Sequence, residues 1–260
     1  MDNKHSDKYL ITQKEKPQFY TIKCIVSGNL LEIYKYHRTQ FGKQDIKVSS
    51  RNKEEKRTSI NTSNDRTTEY INKSRRELKR LINANLHHGK NLDKFLTLTL
   101  AENITDKQYC LLKYRSFIKS LQRSYGNIKY ITILEKQKRG AYHFHIILFD
   151  FPYIDLPSLN EKWKHGYTDI QAIKNHTYLK NGKRYDFASY LVKYMGKEFG
   201  GNSIKGERRY YKSSNLLSPV TLYDIEISAL LNNINYYKEF EFQFSNDSVG
   251  TVDYKKNNCS

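Results

Sequence analysis

The chain has 260 residues, and its 45 Lys and Arg against 27 Asp and Glu give a formal net charge of +18 at pH 7. This excess favours a polyanionic partner, nucleic acid first and an anionic membrane second. Three scattered cysteines argue against a disulfide framework, and no apolar stretch approaches the roughly 18–20 residues of a membrane span. We therefore expect a cytoplasmic protein with a nucleic-acid partner and no membrane partner.

The N-terminal part of the chain predicts a hairpin between two polar segments. Residues 1–15 are polar and charged, which predicts a disordered tail. Two β-rich runs on either side of Gly28-Asn29 predict a β-hairpin over residues 16–41. Residues 42–63 are poor in apolar side chains and predict a flexible polar linker.

A basic amphipathic helix is predicted next. Apolar residues recur at helical spacing between Ile71 and Ile82, while the other faces carry Arg and Lys. Two interpretations of the basic side stay open, namely the solvated face of a packed helix and a surface that contacts DNA phosphates. The candidates for phosphate contact are Arg75, Arg76, Lys79 and Arg80.

The middle of the chain alternates between strand and helix patterns. Strands are predicted over residues 94–100, 129–135, 142–149 and 167–173. Helices are predicted after the first strand, before the fourth strand and from Asp186 to Phe199, and Thr105 with Gln108 forms a capping box for the first of them. The order β-α-β-β-α-β-α predicts an α+β fold, in which helices pack on an antiparallel, ferredoxin-like sheet. We assign residues 64–219 to this domain with its leading basic helix, and residues 220–260 to a C-terminal helix and a polar tail.

Three side chains of the second and third predicted strands could hold a metal ion. His143 and His145 are two positions apart on a strand, so both imidazoles point to one face of the sheet. Glu135 is expected opposite His143 across the turn, on the same face. Two imidazoles and one carboxylate leave coordination positions open for a phosphate oxygen. The alternative is a pair of exposed histidines that bind no metal.

The last predicted helix carries two tyrosines and two lysines on one side. At about 100° per residue, Tyr190, Tyr194, Lys193 and Lys197 fall largely outside the buried stripe. A phenol can act as a nucleophile when nearby positive charge favours its phenolate form. Surface tyrosines without a catalytic role are the alternative, because the chain contains 22 tyrosines.

The order of three motifs resembles the rolling-circle replication initiators of the HUH endonuclease superfamily, of the bacterial plasmid and phage type. The motifs are FLTLTL over residues 95–100, HFH over 143–145 and YLVKY over 190–194, and the resemblance extends from about Phe19 to Pro219. It implies a palm-like sheet that presents the histidines beneath the tyrosine helix. It also implies nicking of single-stranded DNA through a 5′-phosphotyrosine, which frees a 3′-OH primer.

The resemblance implies roles for the metal-site residues and for the partners. His143 and His145 would be metal ligands for Mg²⁺ or Mn²⁺, and Glu135 would be the third ligand. The implied partners are single-stranded or supercoiled origin DNA, followed by a host helicase and polymerase.

The identity of the nucleophile stays open in this resemblance. Tyr190 and Tyr194 match the paired-tyrosine version of phage initiators, single-tyrosine relatives favour Tyr190 with Lys193, and plasmid relatives favour Tyr194. Lys193 or Lys197 would stabilise the negative charge of the phenolate or the phosphate. The alternative of a different class is a non-catalytic protein whose ferredoxin-like sheet stacks single-stranded bases on aromatic side chains.

Overall fold

The computed structural model describes residues 15–42, 63–174, 177–180, 183–198 and 210–259. The chain divides into a central unit, residues 67–217, and a flanking unit built from the segments on either side of it. The expected tail and the expected linker lie outside the described residues, apart from their end positions.

The secondary structure consists of strands and helices with the following bounds. The strands are β1 (Phe19–Ser27), β2 (Leu30–Phe41), β3 (Asp93–Leu100), β4 (Lys129–Lys136), β5 (Tyr142–Phe149), β6 (Gly166–Ile173), β7 (Thr177–Lys180), β8 (Lys183–Asp186), β9 (Tyr210–Lys212), β10 (Val220–Tyr223), β11 (Tyr236–Asn246) and β12 (Gly250–Cys259). The helices are α1 (Ser63–Asn83), α2 (Lys107–Tyr125), α3 (Leu156–Trp163), α4 (Phe187–Glu198) and α5 (Ile225–Asn232).

The central unit is built on an antiparallel sheet with helices on both faces. Its strand order is β6-β3-β5-β4-β9. Side chains alternate between the two faces, so Leu96 and Phe144 pack with α2 and α3, while Phe95 and Ile147 pack with α1 and α4. This arrangement confirms the expected α+β fold with helices packed on an antiparallel, ferredoxin-like sheet.

The first helix after β3 begins with a different cap from the expected one. The carboxylate of Asp106 accepts hydrogen bonds from the backbone N–H groups of Gln108 and Tyr109, at 2.8 and 3.2 Å. Thr105 lies one residue before this cap, so the prediction of a capping box from Thr105 was wrong. A carboxylate at this position satisfies two helical N–H groups and also faces the positive end of the helix dipole.

A buried aspartate joins the start of β3 to the end of β5. Asp93 accepts hydrogen bonds from the backbone N–H groups of His87 and Asp150, at 2.7 and 2.8 Å. Its burial raises the pKa of the carboxyl group, whereas the two N–H donors act in the opposite direction. The edge strand β6 begins at Gly166, where a side chain would collide with the carbonyl oxygen of Thr99.

The flanking unit contains a second antiparallel sheet, with strand order β10-β1-β2-β12-β11. Helix α5 packs on one face of it, where Ile227 and Leu230 contact Cys24, Leu31 and Leu222. Strands β1 and β2 form a hairpin within residues 16–41. The segment for which a polar tail is expected forms the hairpin of β11 and β12.

None of the described helices combines the length and the apolar character that crossing a membrane requires.

Candidate metal centre

Glu135, His143 and His145 lie together on the face of the central sheet that packs against α1 and α4. Strands β4 and β5 pair so that Glu135 stands directly opposite His143. One nitrogen of each histidine and one oxygen of the glutamate all lie within 4.8 Å of one another. The group is largely buried, and this set of nitrogen and oxygen donors could hold a metal ion.

His145 is the buried centre of this group. Its Nε2 lies 2.8 Å from Oε2 of Glu135, and its Nδ1 lies 3.3 Å from Oγ1 of Thr97 on β3. A hydrogen bond at one ring nitrogen sets which tautomer the other nitrogen adopts. A histidine held at Nδ1 by a neighbouring oxygen is the usual arrangement behind a metal ligand that binds through Nε2.

His143 supplies the observation that tests whether the group suits a cation. Its Nε2 is buried and has no hydrogen-bond partner among the described residues. Its Nδ1 lies 3.2 Å from the side-chain nitrogen of Gln137, whose oxygen accepts a hydrogen bond from Nε of Arg139 at 2.9 Å. Buried polar atoms without a partner are uncommon, so a nitrogen of this kind beside a carboxylate fits a cation as its missing partner.

The surroundings also keep His143 in the form that binds metals. Burial lowers the pKa of His143, and the neighbouring His145 lowers it further, while the carboxylate of Glu135 acts in the opposite direction. The lowered pKa favours the neutral imidazole near neutral pH, and a neutral imidazole is the metal-binding form.

Helix α4 approaches the centre through one aromatic ring. The ring of Tyr190 lies 6.3 Å from the ring of Phe95, which stacks on the imidazole of His145 at 5.9 Å. Ala188 and Leu191 are buried as the helical pattern predicts. Tyr190 was expected largely outside this stripe, but it is partly buried because it packs against the same hydrophobic cluster as Phe95.

The remaining residues of the tyrosine helix lie beyond the described side chains. The backbone of α4 extends to Glu198, and it includes Lys193, Tyr194 and Lys197. Tyr190 and Tyr194 are about one helical turn apart on this backbone. The nucleophilic role of either tyrosine and the roles of the two lysines stay predictions.

The basic helix α1 packs beside α4. Lys79 donates a hydrogen bond from Nζ to Oγ of Ser189 at 2.5 Å, and Arg75 donates one to the side chain of Asn72 at 3.3 Å. Arg76 is exposed, and Arg80 is partly buried. The ammonium group of Lys79 is therefore engaged within the protein, while phosphate contact by these four residues stays a prediction.

Sequence reasoning did not assign Thr97 and Gln137 to the site. The alternation of β3 shows that Thr97 shares a face with its neighbours at even spacing, but its partner on β5 depends on the pairing register. Gln137 follows β4 in the turn, where no periodic pattern applies. Their positions beside the two histidines are visible only once β3, β4 and β5 are assembled.

Residues 93–199 match the model of a replication-associated protein family, that of ORF2 and the gene 2 protein. The matched segment runs from the start of β3 to just beyond α4, so it contains the three candidate ligands and both tyrosines. No curated protein and no solved structure shows significant similarity to the chain. The match of the segment that carries the metal-capable group supports a Rep-like replication initiator.

Proposed function

We propose that this protein starts rolling-circle replication of a plasmid, a phage or an integrated element by nicking and rejoining one DNA strand. The observation that carries the proposal is the buried group of Glu135, His143 and His145, which lies inside the segment that matches a replication-associated family. A non-catalytic DNA-binding protein has no need for a nitrogen without a hydrogen-bond partner beside two other potential ligands.

The metal centre would be the electrophilic part of the site. A divalent ion there, Mg²⁺ or Mn²⁺, would polarise the scissile phosphate and stabilise the departing 3′-oxygen. His143, His145 and Glu135 would hold it, and Thr97 would orient His145 through the contact to Nδ1. The lowered pKa of His143 keeps its imidazole available as a ligand near neutral pH.

A tyrosine of α4 would be the nucleophile. Its phenolate oxygen would form a bond to phosphorus as the bond from phosphorus to the 3′-oxygen breaks, which leaves a 5′-phosphotyrosine and a 3′-OH primer. A later 3′-OH would attack the same phosphorus and release the tyrosine, so the strand is rejoined. Tyr190 is slightly favoured over Tyr194, because its ring lies one aromatic contact from His145. Lys193 or Lys197 would stabilise the phenolate or phosphate charge.

The substrate would be single-stranded or supercoiled origin DNA in the cytoplasm. Arg75, Arg76 and Arg80 on α1 would contact phosphates, with Lys79 beside them. A host helicase and a host polymerase would then use the exposed 3′-OH.

The test is the covalent adduct on a single-stranded origin oligonucleotide in Mn²⁺, with EDTA as the metal-free arm. Tyr190→Phe and Tyr194→Phe each remove one nucleophilic oxygen and preserve the ring. We expect one variant to lose the adduct and the other to lose efficiency or the second transfer, whereas Tyr153→Phe, at an exposed tyrosine, serves as the matched control.

Two results would contradict the proposal. One is an adduct that persists in the double variant and maps by mass spectrometry to a residue outside α4. The other is DNA binding with no metal-dependent cleavage of any origin-containing strand, which would leave the non-catalytic alternative.

A further inference from the structure

One face of the flanking sheet carries a row of aromatic side chains that crosses all of its strands. Phe242, Tyr254, Tyr34, Lys23 and Tyr223 stand directly opposite one another on β11, β12, β2, β1 and β10. Directly paired residues of an antiparallel sheet point to the same face. The core with α5 occupies the other face, so this row defines a separate surface, here called the aromatic face.

The rings of the aromatic face form a continuous layer along β11 and β12. Ring centroids are 5.3 Å apart between Phe240 and Phe242, 5.6 Å between Phe242 and Phe244, and 5.0 Å between Phe242 and Tyr254. The layer continues to Tyr34, whose centroid is 5.0 Å from that of Tyr254. Phe240 is 54% exposed and Phe242 is 44% exposed. Contiguous exposed aromatic surface of this kind usually marks a binding site.

Positive charge lies among these rings. Nζ of Lys23 lies over the rings of Tyr34 and Tyr36, at 4.6 and 5.7 Å from their centroids. The carboxylate of Glu32 on the same face is buried and accepts a hydrogen bond from the hydroxyl of Tyr254 at 3.1 Å.

The carboxylates of the outer strands are placed away from the aromatic face. Glu241 and Asp253 alternate with the aromatic residues of β11 and β12, so they point to the face that carries α5. Glu239 pairs with Lys256 at 2.6 Å. The sheet thus separates its charges, and the aromatic face presents rings and an ammonium group rather than carboxylates.

We propose that the aromatic face binds single-stranded DNA, with unpaired bases stacked on Phe240 and Phe242 and a phosphate near Lys23. Aromatic rings on an open sheet offer stacking partners for bases of any sequence, and nearby cations favour the backbone. A protein partner or a second copy of the chain would bury Lys23 and the tyrosine hydroxyls without supplying the anion that this charge pattern favours. This surface goes beyond the proposed nicking reaction, because it would hold a strand through the flanking unit and not at the metal centre.

The test uses the full chain and oligothymidylate, which has little structure of its own. Phe240→Leu with Phe242→Leu keeps apolar side chains and removes both rings, whereas Phe240→Trp with Phe242→Trp keeps rings and is the matched control. We expect the leucine variant to bind about tenfold more weakly, because stacking is lost, and the tryptophan variant to bind like the wild type. The slope of log affinity against log salt should not change, because no cation is removed.

A second measurement locates the contact directly. Oligothymidylate containing 5-iodouracil should photo-crosslink to β11 or β12 in the wild type and lose this crosslink in the leucine variant. A crosslink map without these strands, or an unchanged affinity in the leucine variant, overturns the proposal. A change of oligomeric state in that variant at unchanged DNA affinity also overturns it, since the aromatic face would then join two copies. Metal-dependent nicking is scored separately, so failure of this proposal is distinct from failure of the nicking reaction.

Discussion

The central and flanking sheets have the same strand number and the same antiparallel pairing, yet they differ in what covers them. The central sheet has helices on both faces, and its candidate chemistry lies on a face that packs against α1 and α4. The flanking sheet has α5 on one face, and the aromatic face on the other is partly exposed along β11.

The difference shows how burial serves two kinds of recognition. At the metal centre, burial lowers the pKa of His143 and leaves its Nε2 without a partner among the described residues, which favours a cation. On the aromatic face, stacking requires the flat surface of each ring to stay accessible. The same secondary structure can thus support a buried reactive group or an open stacking surface, depending on where the helices pack.

The largest expected effect separates chemistry from binding. His143→Ala or His145→Ala should reduce nicking of an origin oligonucleotide in Mn²⁺ by about a thousandfold or more, because several kcal/mol of transition-state stabilisation are lost. DNA affinity should change little, because the net charge of +18 carries most of it. His88→Ala, at an exposed histidine, is the control. Unchanged nicking in the double variant would exclude this group as the metal site.

The next effect tests whether the two units have independent cores. Leu96→Ala and Leu31→Ala each remove a buried side chain from one unit, and each should lower the free energy of unfolding of its own unit by about 2–5 kcal/mol. Burial raises the pKa of Cys24 to about 12 and also raises the pKa of Cys110, so both thiols stay protonated at neutral pH and react with alkylating agents only after opening.

The measurement is the alkylation rate of each cysteine in the native protein. Leu31→Ala should accelerate labelling of Cys24, and Leu96→Ala should accelerate labelling of Cys110. Leu112→Ala removes an exposed leucine and should change neither rate by much. Acceleration of both cysteines by either leucine variant would show that the two sheets unfold as one body.

A smaller effect is expected from the residue behind His145. Thr97→Val keeps the β-branched shape and removes the hydroxyl near Nδ1, so Mn²⁺ affinity measured by calorimetry without DNA should fall by about tenfold. Thr99→Val is the matched control, because Thr99 lies on the same strand and face while the contact to His145 belongs to Thr97. Equal affinities for the two variants would mean that Thr97 does not orient the ligand.

The smallest expected effect concerns the basic helix of the central unit. Replacing Arg75, Arg76 and Arg80 with Gln should reduce the slope of log affinity against log salt by about 0.7–0.9 for each phosphate contact that is lost. Lys79→Gln should instead act mainly on stability, because its ammonium group bonds to Ser189. Gln at Arg115, Lys119 and Arg123 on the exposed side of α2 is the control. An unchanged slope would identify α1 as a solvated face.

The sequence predicts much of the central unit because local patterns determine it. Alternation in β5 places His143 and His145 on one face, and the short turn places Glu135 opposite His143. These relationships depend on residues close in the chain. The contact between Thr97 and His145 depends instead on the pairing of β3 with β5, which no local pattern defines.

The flanking sheet is harder to predict because its strands come from distant parts of the chain. Asp224, for example, accepts a hydrogen bond from the backbone N–H of Thr21 across 203 positions. The alternation of Phe240, Phe242 and Phe244 with polar residues is a strand pattern, but a polar C-terminal composition conceals it. Partial burial of Tyr190 likewise depends on a ring of β3 that the helical pattern does not contain.

The split origin of the flanking sheet has a consequence for synthesis of the chain on the ribosome. Strands β1 and β2 emerge first, and their partners β10 and β12 emerge only after the whole central unit. Because domains generally fold as they are made, the central unit can fold while the first hairpin still has two open edges. Open edges invite pairing with other chains, so the nascent hairpin is the part of this protein most in need of a chaperone.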